Sequence, residues 1–465
     1  MFPDFDEDYG FTAKCGFALS PIQVADVEQF SQWRVSCNFY ETGSGKTVCS
    51  TVISLMAGHS LTIVTVPPIL ITPWGRWLNK VSERVVLFRG KPKDRAAMDL
   101  TKARWIVVSH ALFRDEFARL LAEFMSRPSA ELIVDEAHAI KNIESKLFKK
   151  VEVMAQDKSL QLLTGTPISK PLDAYSYIRL KTPKMYRSFQ QFENLYVGER
   201  DFFGRVEAYQ DLPTMAEHFA MQTITRTKFD IHGYDNPPNY PDGSYELADD
   251  HMRLYEQLVD EQMLQFSDGQ KIDASSATKL YHALQQLVVN FDYFSNDPKK
   301  KSAAYDYLDL TIEQTQCEKL DKSKLIVWTN YKMTSASVLK YLLDKGINAV
   351  AAYGDSNAEK AVESFMNNPN TRVLVAQYQS AGMGLNPQEV CWEAFFMELS
   401  TVPIYMRQAL GRIDRMGQQH LPTQRLAVAQ GTIQALLLEK LLRNDDYAVE
   451  VEITKESLRK SLLGR

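Results

Sequence analysis

Disulfide frameworks and zinc sites need cysteine in a pattern, and this sequence has little of it. Cys15, Cys37, Cys49, Cys317 and Cys391 are spread over 465 residues, odd in number and without a C-x-x-C spacing. Reduced, mostly buried thiols are expected. Long apolar runs are missing too. The most apolar stretch, LTIVTVPPILITPW (61–74), is broken by Pro67 and Pro68 and falls short of the ~20 residues a membrane-spanning helix needs. The opening MFPDFDEDYGF is acidic and lacks the basic-then-apolar order of a signal peptide, so a cytoplasmic protein with no membrane partner is expected. Low-complexity tracts and internal repeats are absent, and 21 glycines and 19 prolines sit near globular averages. An excess of positive charge is absent as well. The formal net charge of -5 excludes a globally basic nucleic-acid coat but leaves room for a local basic groove, because binding depends on where charge sits.

What is present is a large, ordinary apolar fraction, 45% of residues, in a chain long enough for two or three domains. Short β-branched runs alternate with helical stretches: LTIVTV (61–66), RVVLF (84–88), WIVVSH (105–110), ELIVDE (131–136) and LQLLTGT (160–166). Such alternation implies β-α crossovers and a parallel sheet. A second series follows in KLIVWTN (324–330), NAVAAYG (348–354), RVLVAQYQ (372–379), EAFFMEL (393–399) and QRLAVAQ (424–430). The fold class is therefore α/β with two lobes, over about 1–230 and 246–465. Helical insertions are expected at 185–226 and 246–292, and a linker at 231–245, where HGYDNPPNYPDGS concentrates helix- and strand-breaking residues.

The chemistry concentrates at ETGSGKT (41–47). A phosphate-binding loop needs small residues so that backbone N–H groups can turn inward, a lysine for the β and γ phosphates, a hydroxyl for Mg²⁺ and a helix behind it. Thr42, Gly43, Ser44, Gly45, Lys46 and Thr47 supply these, although Tyr40 stands where the strict pattern has its first glycine. About 90 residues later LIVDEAH (132–138) ends an apolar strand in two carboxylates. At the carboxyl end of a parallel strand, Asp135 can hold Mg²⁺ and Glu136 can orient the attacking water. Trp74 reads as a core residue with base stacking as the alternative, and the nine basic residues between Arg76 and Arg104, against three acidic ones, read mainly as solvated surface.

With DEAHAIKN (135–142) the sequence resembles the Swi/Snf family of DNA-translocating ATPases in helicase superfamily two, through almost its whole length. LSPIQ with Gln23 is similar to the family's adenine-sensing segment, IVTVPPILITPW to its motif Ia, LLTGTPISKPLDAYSYI to motif III and KLIVWTNY to motif IV. QSAGMGLN (379–386) is similar to motif V and RQALGRIDRMGQ (407–418) to motif VI. The resemblance implies two RecA-like lobes that close on ATP and Mg²⁺. Lys46, Asp135, Glu136, Arg412 and Arg415 would be catalytic, with the two arginines three apart on one helical face. Gln23 and Gly384 would help hold the nucleotide. His138, Thr164, Gly165 and Thr166 would couple hydrolysis to grip on DNA, with Pro67, Ser380 and Gln408 along the nucleic-acid path.

Three functions fit this pattern: a translocase on duplex or forked DNA, a strand-separating DNA or RNA helicase, and a nucleotide-gated clamp with little turnover. The implied partner is DNA contacted without regard to sequence, with RNA an alternative, and a monomer is expected. The chain is similar to the compact motors of phages and bacteria, which implies bacterial cytoplasm.

Overall fold

Seven short segments of the N-terminal half pair side by side, every neighbour parallel. They are β1 (Val35–Asn38), β2 (Leu61–Val66), β3 (Val85–Phe88), β4 (Trp105–Ser109), β5 (Ala130–Asp135), β6 (Ser159–Leu163) and, after a hairpin of β7 (Val197–Arg200) and β8 (Val206–Tyr209), β9 (Thr223–Ile224). The sheet order is β3-β4-β2-β5-β6-β1-β9. A parallel sheet covered on both faces buries every residue of its central strands, which explains why LTIVTV, WIVVS and AELIVD are continuous runs and not alternating ones. Two apolar clusters fill the two faces, one around Ile106, Leu132 and Phe148, the other around Val52, Trp74 and Ile133.

The computed structural model describes residues 18–168, 170–202, 204, 206–232, 239–265, 271–274, 277–353, 358–378, 387–400, 403–415 and 418–442. The molecule divides into two compact units, Met1–Asp235 and Asn236–Arg465. In the first, α1 (Pro21–Ser31) begins in a capping box: Ser20 Oγ accepts from Gln23 N and Gln23 Oε1 accepts from Ser20 N. Helix α2 (Lys46–Met56) follows the glycine-rich loop directly, and α3 (Ile71–Val81) packs Ile71, Trp74 and Leu78 inward while Arg76 and Lys80 face out.

The expected helical insertion at 185–226 is only partly helical. Helices α4 (Phe189–Tyr196) and α5 (Leu212–Ala220) flank the antiparallel β7–β8 hairpin, whose Gly204 sits at φ 80°. The second unit repeats this pattern, with α6 (Asp249–Glu261) and α7 (Ala277–Val289) separated by a hairpin of β11 (Met263–Gln265) and β12 (Lys271–Asp273). Its own sheet is five-stranded and parallel, in the order β14-β15-β13-β16-β17, from β13 (Lys324–Thr329), β14 (Ala349–Ala352), β15 (Val373–Gln377), β16 (Cys391–Phe396) and β17 (Thr423–Leu426).

Residues 239–245, expected as linker, are part of this unit. Asn239 bridges Thr423, and β10 (Ser244–Tyr245) pairs in parallel with β18 (Val428–Ala429). Cys37, Cys49, Cys317 and Cys391 are free and buried, while Cys15 lies outside the described residues. Among the described residues no helix is long and apolar enough to cross a membrane.

Candidate nucleotide-binding site

Strands β5, β6 and β1 are neighbours and end level with one another, because Leu163 is in register with both Asp135 and Asn38. Their continuations therefore emerge side by side: the loop Phe39–Gly45 after β1, Glu136–His138 after β5 and Thr164–Thr166 after β6. Carboxyl ends of parallel strands are where open α/β sheets bind ligands.

The loop folds as its composition requires. Gly43 and Gly45 both lie at φ 89°, a left-handed conformation that a side chain strains, and α2 starts immediately after. Lys46 Nζ donates to the carbonyl oxygens of Tyr40 at 2.8 Å and Glu41 at 3.1 Å, so the ammonium is folded over its own loop. Gly165 closes the cradle from the β6 side. A Cβ there would lie 3.0 Å from Thr42 Oγ1, 3.3 Å from Thr42 N and 3.5 Å from Lys46 Nζ. The Ser44 hydroxyl is buried with no hydrogen-bond partner.

Two supports hold the loop from behind. Gln23, expected to read adenine, is buried, and its Nε2 donates to Ser44 O at 3.1 Å while its Oε1 serves the cap of α1. Tyr40, the residue in place of the first glycine, donates its hydroxyl to Asp26 Oδ2 at 2.6 Å, and Arg226 binds the same buried carboxylate through both oxygens at 2.8 and 2.6 Å. The Asp26 hydrogen bond holds the Arg226 guanidinium even more firmly protonated than usual, and burial pushes the Tyr40 phenol far above its ordinary range. The sequence showed Tyr40 as a departure but gave no sign of its partner.

The carboxylates are arranged with equal definition. Asp135 is buried, Oδ2 accepting from Trp74 Nε1 at 2.8 Å and Oδ1 from Glu136 N at 2.9 Å. Burial, then the neighbouring Glu136 charge, raises its pKa to about 6 against the opposing pull of the Trp74 hydrogen bond and Lys46. Glu136 occupies left-handed backbone at φ 52°, a strain that functional sites commonly store. Its Oε2 lies 3.3 Å from His138 Nδ1, and the same nitrogen is 3.4 Å from Thr164 Oγ1. Thr164 Oγ1 also accepts from Thr166 N at 3.1 Å, so His138 and the TGT turn form one connected group beside Glu136.

A glycine-rich loop with two left-handed glycines, a lysine at a helix start, a hydroxyl at Thr47 and a desolvated carboxylate at Asp135 form a set suited to a nucleotide phosphate chain with Mg²⁺. The glycine cradle and the orphaned Ser44 hydroxyl fit that group as well.

The remaining expected residues are placed as follows. Pro67 follows β2 and leads into a short 3-10 turn before α3. In the second unit Gln408 lies half-buried on α8 (Pro403–Leu410). That helix ends before Gly411, so Arg412 and Arg415 stand in the following turn and not on a helical face. Arg412 is buried, and Arg415 Nε donates to Gly411 O at 2.7 Å. Ser380 and Gly384 lie outside the described residues. Of the basic stretch, Arg76, Lys80, Arg84, Arg89, Lys91, Lys93 and Lys102 are exposed, whereas Arg95 pairs with Glu116 at 2.8 Å.

Two α/β units, the first holding a phosphate loop beside an acidic strand end, have the arrangement of a nucleotide-binding core of the RecA-like kind. Residues 37–292 match the SNF2-related domain, and the chain belongs to that family. An uncharacterized ATP-dependent helicase of Mycoplasma pneumoniae is 24% identical over 85% of this chain and 38% of its own length. The DNA annealing helicase and endonuclease ZRANB3 of Mus musculus is 21% identical over 87% of this chain and 38% of its own. The chain thus spans well under half the length of these curated relatives. Among solved structures, the Sulfolobus solfataricus SWI2/SNF2 ATPase core in complex with dsDNA aligns over 97% of this chain and 98% of its own, with 18% identity and a TM-score of 0.43.

Proposed function

We propose that the chain is an ATP-driven translocase that moves along duplex or branched DNA and remodels replication or recombination intermediates or displaces bound proteins. The observation that carries this reading is the continuity from Glu136 through His138 to Thr164 and the TGT turn, whose Gly165 packs on the phosphate loop. A residue that orients water is thereby joined to a turn at the sheet's ligand-binding edge, a connection that a motor requires and a passive clamp does not. The names of relatives that act on DNA support the choice of polymer.

In this mechanism Thr42 to Thr47 and Gly384 hold ATP, with Gln23 keeping the loop in shape. Thr47 and Asp135 are the residues that would hold Mg²⁺, which would supply positive charge to the phosphate chain. Lys46 leaves its loop carbonyls to neutralise the phosphates. Glu136 orients the attacking water, and Arg412 and Arg415 provide the charge that phosphoryl transfer gathers on the equatorial oxygens. His138, Thr164 and Thr166 pass the state of the site to the nucleic-acid path, to which Pro67, Ser380 and Gln408 belong. Contacts of this kind are to phosphates, so binding is independent of sequence and falls with salt.

Steady-state ATP hydrolysis with duplex, forked and single-stranded DNA and with RNA tests this, with Lys46→Ala as control. Stimulation by duplex or forked DNA, reduced by ~100-fold or more in the variant, is expected. Rapid separation of the strands in a fluorescent unwinding assay would instead make the chain a helicase, and turnover that no polymer stimulates would make it a clamp.

A further inference from the structure

Helix α3 has two faces with different chemistry. On the inward face Trp74 Nε1 reaches Asp135, and three residues on Trp77 Nε1 donates to Thr51 Oγ1 at 2.9 Å. Thr51 belongs to α2, where its hydroxyl donates to Thr47 O at 2.7 Å. One helix therefore touches both the acidic strand end and the helix that carries Lys46 and Thr47. On the outward face Arg76 and Lys80 are exposed, with Arg84 in the turn beyond, and among the described residues none of the three pairs with a carboxylate. The helix is also braced: a Cβ on Gly75 would lie 2.6 Å from Leu87 Cδ2 of β3, so the missing side chain lets α3 lie directly against that strand.

The Asp135 carboxylate has two oxygens and one donor on each, which fixes its rotation. The donor on Oδ1 is its own neighbour's amide, present in any strand ending this way, whereas the donor on Oδ2 comes from another element. A buried indole N–H facing a buried carboxylate is a directional restraint in addition to apolar packing.

We propose that Trp74 is a positioning residue for Asp135, and that α3 is a strut through which a polyanion on the Arg76–Lys80–Arg84 face bears on the metal-binding carboxylate. This rests on the reading of Asp135 as a ligand for Mg²⁺. Residues that orient a metal ligand typically change metal affinity by about 10- to 100-fold when lost. By reciprocity, whatever a duplex on α3 does to Mg²⁺ binding, Mg²⁺ and nucleotide do to the duplex.

The test uses binding of a fluorescent ATP analogue, titrated with Mg²⁺ and repeated in EDTA. Trp74→Phe keeps an aromatic ring in the core and deletes the N–H together with the rest of the five-membered ring, so the readout must separate a lost hydrogen bond from lost packing. The variant should raise the half-maximal Mg²⁺ concentration about tenfold while leaving the affinity in EDTA as in wild type, a split that general loosening of the core would not produce. Adding a short duplex should shift the Mg²⁺ curve of the wild type, and that shift should vanish in Trp74→Phe and in the double variant Arg76→Ala, Lys80→Ala. A Trp74→Phe curve that overlays the wild type overturns the positioning role, and a duplex-induced shift that survives in either variant overturns the strut. A wild type that binds no nucleotide, like Lys46→Ala, sinks the reading of the site itself, a separate outcome.

Discussion

Asp26 is a single buried carboxylate shared by a loop, a helix and the segment that leaves the first unit, and its partners carry testable consequences. Tyr40→Phe removes one hydrogen bond to a charged acceptor and leaves the bidentate Arg226 contact in place. It should lower the stability of the first unit by about 2 kcal/mol, read as a lower urea midpoint of tryptophan fluorescence. Arg226→Ala should cost more, because it takes the only cation from that carboxylate among the described residues; equal effects would mean that the Tyr40 hydroxyl is the main restraint. Gly165 makes a second prediction at this scale. Its φ is not in the left-handed region, so Gly165→Ala meets no backbone strain, only Thr42 and Lys46. Overpacking of this kind costs about 1–3 kcal/mol, which should appear as a thermal midpoint lowered by a few degrees together with weaker nucleotide binding. A midpoint and an affinity both equal to the wild type would show that the TGT turn moves away freely. Neither residue's partner could be read in the chain. Tyr40 is visible as a departure from a pattern and Gly165 as part of a motif, but contacts between residues 14, 123 or 200 positions apart depend on strand order, which composition does not encode.

At the level of elements, the strands that build the first site were legible because both faces of a parallel sheet are buried, leaving uninterrupted apolar runs with Asp135 and the TGT turn at their ends. The insertions were less legible. VGERDFFGRVEAY (197–209) has the charged composition of a surface helix, and only Gly198 and Gly204 hint at the turn that makes it a hairpin. Motif VI reads as one helix, yet α8 stops before Gly411, a residue type common just past helix ends, which moves Arg412 and Arg415 into a turn. The stretch 232–244 looked like linker because Pro, Gly, Asn and Asp concentrate in it, while residues 239–245 line up with 423–429 by backbone hydrogen bonds that need no particular side chain. Gly243 is the exception. A Cβ there would fall 1.9 Å from Leu426 O, so Gly243→Ala must push the segment off the strand. The amides of Gln424, Val428 and Gln430 donate to Asn239, Gly243 and Tyr245. Hydrogen exchange at Val428 and its neighbours should rise by about tenfold or more in that variant, matching a local loss of ~1–3 kcal/mol. Protection equal to wild type would mean that the two segments part and re-pair at little cost.

Across the whole chain, buried titratable groups of opposite tendency act on stability against pH, among them one pair in each unit. Burial raises Glu131 and Glu398 from 4.5 to about 7, and burial lowers His110 and His251 from 6.5 to about 4. A carboxyl with a raised folded pKa binds more protons folded than unfolded between those values, so its contribution falls as pH climbs from 4.5 to 7. A histidine with a lowered pKa does the reverse, its contribution growing from pH 4 to 6.5. The two families offset each other over most of that window, and the wild type should show a shallow profile that hides large individual slopes. Removing one member exposes it. Glu131 is the cleaner choice, since Oε1 accepts one hydrogen bond from Gln161 that a glutamine oxygen can also accept, whereas Glu398 receives the amides of Asn330 and Tyr331 and the Thr334 hydroxyl. Glu131→Gln should differ from the wild type by a constant amount well below pH 4.5, where the carboxyl is protonated in both states. It should then gain relative stability up to about pH 7, reaching about 3 kcal/mol, the size of the shift at 1.36 kcal/mol per unit. Thermal midpoints of the two proteins at pH 5, 6 and 7.5 decide the matter. A gap that widens with pH supports a strained, buried carboxylate, and a constant gap would show that Glu131 keeps its charge throughout, held by Gln161, Ser54 and His59.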